Sequence, residues 1–376
     1  MEYRRLVKDD GPISLLGFGC MRLPLVPGSD AVDEAKAAEM IDKAIKSGVN
    51  YFDTAYRYLN GNSELFLGKT LKKYPRDSFH LATKLPMGMI HDTETGKKIY
   101  HEQFEKLQVE YFDFYLLHGI NAESYQRAID LGLVDYLVEE KKAGKIRHLG
   151  FSFHGSYEDF EKIITSRAWD FCQIQLNYMD AEIQAGVKGA KLAEKLGVPL
   201  VIMEPVKGGS LANFAPEAAK VMKAAAPDKS LASWAVRWVA KQPSVAVVLS
   251  GMSTMEQVED NLATFSDYKP LSKEEEAIVA ETAEKIRASV NIGCTGCQYC
   301  MPCPFGVNIP RNFALWNELG MYNNPGGLRF GLAGLKESGF ADMCQKCGAC
   351  EAACPQGLQI RDNLEKVVEA LGPLMA

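Results

Sequence analysis

Between Leu15 and about Phe265 the chain alternates short apolar runs with stretches of helical spacing, eight times over. The apolar runs are LLGFGCM, VNYFDTA, FHLATKL, FDFYLLH, IRHLGFS, FCQIQLN, PLVIMEP and VAVVLSG. A helical pattern follows each, as in EAKAAEMIDKAIKSG, where Ala38, Ile41, Ala44 and Ile45 share a face and Gly48 marks the stop. Strand–helix alternation predicts a parallel sheet, and eight units are the count that closes a barrel. An open doubly wound sheet would want a G-x-G-x-x-G turn entering a helix after the first strand, but GFGCMRLP runs into Arg22 and Pro24. The expected fold over residues 1–270 is therefore α/β, a (β/α)8 TIM barrel.

Barrel enzymes do their chemistry with residues at the carboxyl ends of the strands. Asp53 ends the second run, Lys84 the third and His118 the fourth, and Tyr58 lies in the loop after Asp53. A phenol titrates near 10, too high for efficient proton exchange at neutral pH, and a nearby ammonium lowers it. Asp53 would keep Lys84 charged and in place, and His118 would orient a substrate oxygen. The set suits carbonyl reduction, with hydride arriving at carbon while Tyr58 gives a proton to oxygen. His80 and His148 fall near strand starts, the stability end of a barrel, whereas His154 is expected at the mouth. No H-x-H or comparable pair supplies a catalytic metal site in this part of the chain.

The cysteines are distributed very unevenly. Of ten, only Cys20 and Cys172 precede residue 290; both sit in apolar runs and are expected to be buried and inert. The second later cluster, CQKCGACEAACP, fits the ferredoxin spacing C-x2-C-x2-C-x3-C-P, and the first, CTGCQYCMPCP, is one residue short between its last two cysteines. In two-cluster ferredoxins the fourth cysteine of each run ligates the other cluster. By that rule Cys294, Cys297, Cys300 and Cys354 form one ligand set, and Cys344, Cys347, Cys350 and Cys303 the other. The shortened spacing puts Cys303 at issue, so two 4Fe-4S clusters or one remain open. Structural zinc is the competing reading, although zinc sites more often pair two C-x2-C units. Residues 271–290 read as a charged amphipathic linker helix, and 291–376 as a mainly helical ferredoxin-like iron–sulfur domain.

FDTAYRY, LATKL and DFYLLHG, in that order and spacing, resemble the signature segments of the aldo/keto reductase family. The resemblance covers roughly residues 1–270, and with the cysteine runs the whole chain resembles the iron–sulfur members of that family. It implies an NAD(P)H-dependent barrel reductase with Tyr58 as general acid, Asp53 and Lys84 tuning it, and His118 positioning the carbonyl. It further implies nicotinamide contacts from Ser152 and Gln173 and an adenine contact from Asn261. Three positions depart from the family pattern: Phe153 replaces an asparagine, Met203 an aromatic that stacks under nicotinamide, and Gln257 an arginine that receives a 2′-phosphate. Neither NADH nor NADPH is thereby singled out.

A net charge of −6 leaves no broad basic surface for nucleic acid or anionic membrane, and no apolar run reaches the roughly 18 residues that span a bilayer. The amino terminus lacks a signal-peptide core, so a cytoplasmic location is expected. The partners expected are a small carbonyl substrate and a redox partner protein. The alternative is an electron-transfer component whose barrel serves as a docking scaffold.

Overall fold

The computed structural model describes residues 1–6, 11–336 and 338–375, and the chain divides into two compact units. The first comprises residues 1–205 and 233–271, and the second 206–232 and 272–376. The second unit thus holds both the segment 206–232, read from sequence as barrel, and the helix read as a linker. The helix Pro216–Ala225 packs against Lys273–Ala288, which draws the two segments together.

All eight predicted runs form strands of one closed parallel barrel. We number them β1 (Leu16–Gly19), β2 (Tyr51–Asp53), β3 (His80–Pro86), β4 (Phe112–Ile120), β5 (Ile146–Phe153), β6 (Phe171–Gln175), β7 (Leu200–Met203) and β8 (Val245–Gly251). Successive strands pair in parallel, and β8 closes on β1 through Val248 opposite Leu16. Side chains alternate along a strand, so every second residue faces the barrel axis. Tyr51, Ala82, Phe114, Phe171 and Val201 fill one buried interior cluster with Leu6 and Ile13. Two residues further along three of these strands stand Asp53, Lys84 and Gln173. The period of two thus carries the apolar plug into a polar mouth. Gly150 on β5 makes room within this interior, since a Cβ there would lie 2.6 Å from the Phe171 ring.

One local reading changes, and one helix is added to those read from the sequence. In the helix Glu34–Lys46 the buried stripe is Ala37, Met40, Ile41 and Ala44, one step round from the stripe read in sequence. The stretch after Lys84 is mostly the helix Thr93–Leu107, capped by Asp92 accepting from the Thr95 N–H at 2.7 Å.

The second unit is built of helices and turns, in two similar halves. Each cysteine run leads through a Cys-Pro-x-Gly turn (Cys303–Gly306 and Cys354–Gly357) into a helix, Ile309–Tyr322 or Ile360–Leu371. The helices pack on each other and place Ile309 and Phe313 beside Ile360 and Leu364 in a single buried core. Matching left-handed residues flank the second cysteine of each run: Gly296 and Gln298 around Cys297, Lys346 and Gly348 around Cys347.

Candidate functional site

Asp53 and Lys84 leave adjacent strands with their side chains inward. Lys84 is fully buried, and its Nζ donates to Asp53 Oδ1 at 2.6 Å and to the Thr54 carbonyl at 2.7 Å. The third donor reaches Tyr58 Oη at 3.4 Å. All three ammonium protons are thereby directed, and Tyr58, as acceptor from Lys84, keeps its own proton to give elsewhere. Gln173 Nε2 donates to the other Asp53 oxygen at 3.0 Å, so the carboxylate is held from two sides.

Tyr58 opens a turn in which Leu59, Asn60 and Gly61 all lie in the left-handed region, with φ of 53°, 55° and 88°. Such a conformation costs a non-glycine residue about 1–3 kcal/mol, and strain of this kind concentrates at functional sites. The helix Asn62–Leu71 fastens the turn to the barrel: Ser63 Oγ lies 2.8 Å from Thr54 Oγ1 and donates to the Cys20 carbonyl at 2.9 Å. His118 stands where β4 and β5 slip out of register between Leu117 and Ile120, with Gly119 at φ 60°. Its ring meets Tyr58 edge-on, centroids 5.8 Å apart. The four residues predicted from sequence are thus brought to one place.

Burial dominates the electrostatics. It works against the Lys84 ammonium, but the Asp53 carboxylate, with Tyr58, more than offsets it, and the lysine pKa is raised. The Tyr58 pKa is also raised, by burial, with Lys84 pulling the other way; in the ligand-free site the cation restrains the shift without reversing it. Burial, then the electrostatic influence of Lys84, His154 and Arg57, lowers the His118 pKa to about 3. His118 is therefore a neutral imidazole at physiological pH. Cys20 and Cys172 are buried free thiols with raised pKa, in both cases chiefly through burial, which suits inert packing.

Of the expected cofactor contacts, Ser152 is buried and its Oγ has no hydrogen-bond partner among the described residues. An orphaned buried hydroxyl is costly, and an amide ligand such as a nicotinamide carboxamide would satisfy it. Gln173 is committed to Asp53, and Asn261 donates to Ser250 Oγ at 3.0 Å. Gln257 accepts from the Ser253 N–H at 2.7 Å through Oε1. His154 is held by Gln184 at 3.2 Å.

All ten cysteines are free thiols. In the second unit they line two cavities. One is walled by Cys294, Cys297, Cys300 and Cys354, the other by Cys303, Cys344, Cys347 and Cys350, with Cys300 reaching both. The first cavity takes Cys354 from the opposite run, and the second takes Cys303 together with Cys300. Among the described residues no three His, Cys, Asp or Glu side chains gather closely enough to hold a single metal ion. Four cysteines per group are the donor set that a 4Fe-4S cluster takes. Sequence reading passed over Arg361, whose guanidinium lines the second cavity, because one cation on an amphipathic terminal helix reads as solvated. Comparing CPFGVNIPRN with CPQGLQIRDN, where Arg361 stands in place of Pro310, would have exposed it.

A family model described as the aldo/keto reductase family matches residues 15–284. The chain belongs to this family. A second model, the 4Fe-4S dicluster domain, matches residues 293–364. This aldo/keto reductase is 28% identical to L-galactose dehydrogenase of Arabidopsis thaliana, over 74% of its own chain and 92% of the relative's. It is 22% identical to the NADH-specific methylglyoxal reductase of Escherichia coli, over 74% and 97%. Among solved structures it resembles an aldo-keto reductase from Bacillus halodurans in its holo form, with a TM-score of 0.62, 27% identity, and 75% and 96% of the two chains covered. It is an oxidoreductase carrying a ferredoxin-type domain. Among its described residues no helix is long and apolar enough to cross a membrane.

Proposed function

We propose that the barrel reduces a small carbonyl compound (aldehyde, ketone or quinone) with NAD(P)H, and that Tyr58, Asp53, Lys84 and His118 are the groups that act on it. The observation that carries this reading is the Lys84 ammonium held between Asp53 at 2.6 Å and Tyr58 at 3.4 Å. The nicotinamide supplies hydride to the carbonyl carbon. Tyr58 gives its proton to the carbonyl oxygen, and Lys84 stabilises the phenolate that remains. Neutral His118 donates a hydrogen bond to the same oxygen, aligning it and favouring the charge that develops there. Ser152 and Gln173 hold the carboxamide, and Asn261 the adenine. A raised Tyr58 pKa keeps the donor protonated, and Lys84 limits the cost of giving the proton up.

In the second unit, Cys294, Cys297, Cys300 and Cys354 hold one 4Fe-4S cluster and Cys303, Cys344, Cys347 and Cys350 another. Their chemistry is one-electron exchange, which suits contact with a redox partner protein in a reducing cytoplasm.

NAD(P)H oxidation over aldehydes, ketones and quinones, with wild type beside Tyr58→Phe, tests the barrel reading. Turnover by wild type and its loss in the variant are expected. No turnover across the panel, or equal turnover by both proteins, would leave the electron-transfer scaffold as the better account.

A further inference from the structure

The two halves of the cysteine unit share a backbone plan but differ in charge. Arg361 lines the cavity of Cys303, Cys344, Cys347 and Cys350. Its guanidinium packs over the turn between Cys347 and Cys350, since a Cβ on Gly348 would lie 3.9 Å from Arg361 Cζ. Glu351 holds it there: Oε2 accepts from Arg361 Nε at 2.8 Å and Nη2 at 2.7 Å, and Oε1 from the Arg361 N–H at 2.8 Å. Arg361 lines the cavity and Glu351 does not. The Lys346 N–H adds a hydrogen bond to Cys344 Sγ at 3.4 Å.

In the other half Pro310 replaces Arg361 and Met301 replaces Glu351. Among the described residues no charged side chain lines the cavity of Cys294, Cys297, Cys300 and Cys354; Pro310, Phe313, Leu358 and Ile360 wall it with the uncharged Thr295, Gln298 and Gln356.

Resting on the two-cluster reading, we propose that the sites are redox-inequivalent: the one beside Arg361 takes up an electron first, and Arg361 is the residue that sets the order. One-electron reduction takes a cube from [4Fe–4S]2+ to [4Fe–4S]+ and adds one negative charge. A guanidinium beside the cavity and an N–H to sulfur both favour the reduced form, whereas a wall without a cation offers no such charge. Arg361 acts by position, without taking part in the transfer.

The test is an anaerobic titration of the full chain with dithionite and mediators, followed by electron paramagnetic resonance, with iron and acid-labile sulfide counted on the same sample. Two resolved one-electron steps are expected. Arg361→Gln should lower the reduced-to-oxidised ratio of the upper step about tenfold at fixed potential, equivalent to about 59 mV for one electron, and leave the lower step in place. Glu351→Gln, which leaves the cation unbalanced, should move the upper step the opposite way; damage to the fold does not produce opposite shifts. About eight irons per chain with both steps unmoved in Arg361→Gln, or with the lower one moved, overturns the inference alone. About four irons and a single step overturn the two-cluster reading along with it.

Discussion

Lys84→Met offers the sharpest test of the barrel site, because it separates what the ammonium does for folding from what it does for chemistry. Lys84 and Asp53 are 0% and 3% exposed in their side chains, so water does not replace what the substitution removes. Asp53 would keep only the Gln173 hydrogen bond at 3.0 Å. Deleting one member of a buried ion pair costs about 3–5 kcal/mol, and we expect a loss of that order in urea unfolding of the barrel followed by circular dichroism. Visible absorbance follows the cysteine unit separately. With no cation beside Tyr58 its phenolate loses its support, and turnover should fall about 10²–10⁴-fold, the range for a general acid. The double variant Asp53→Asn/Lys84→Met removes both charges. It should recover much of the stability, because an uncharged pair leaves no stranded carboxylate, and none of the turnover. A single variant destabilised by less than about 1 kcal/mol, or turning over within about threefold of wild type, would refute the reasoning. So would a double variant that regained activity.

Three further outcomes follow from the same geometry. Ser152→Ala should stabilise the cofactor-free protein by about 1 kcal/mol, since it removes an orphaned buried hydroxyl, while raising the Kd for NAD(P)H; a melting curve and a nucleotide titration read the two effects, and unchanged affinity would count against the carboxamide contact. His118 should contribute no acid limb to the rate between about pH 5 and 8, and its stability contribution has a definite sign. The unfolded imidazole takes up a proton below about 6.5 and the folded one only near 3, so stability is complete above that window and declines on acidification through it. An acid limb near pH 6 that vanished in His118→Gln would contradict this. Cys303→Ala should reduce the iron content from about eight to about four per chain; full retention would remove Cys303 from the ligand set.

The barrel was legible because its signals are one-dimensional. Apolar runs such as FHLATKL and VAVVLSG mark strands, and a period of two from Tyr51 to Asp53 or Ala82 to Lys84 carries the inward face to the mouth. The gathering of Asp53, Lys84, Tyr58 and His118 was legible for the same reason. Their electrostatics were not: the sequence shows a cation near a phenol, but burial, which wins at Tyr58, depends on everything packed above it. The orphaned hydroxyl of Ser152 was likewise invisible, since it is defined by partners it does not have. At Asp92 the capping signal was present, but a polar stretch with Gly96 in it reads as loop until the helix is seen to bury Ile99, Tyr100 and Gln103.

The crossing of Cys303 and Cys354 bears on how the chain is made. A ribosome delivers the amino-terminal run first, yet the last wall of its nest, Cys354, emerges only after the second run is all but complete. Until then three nascent thiols stand open to oxidants, and the other group likewise waits for Cys344, Cys347 and Cys350 of the second run. Each group thus waits on the other run, and a stop codon anywhere between the two runs should yield a colourless product.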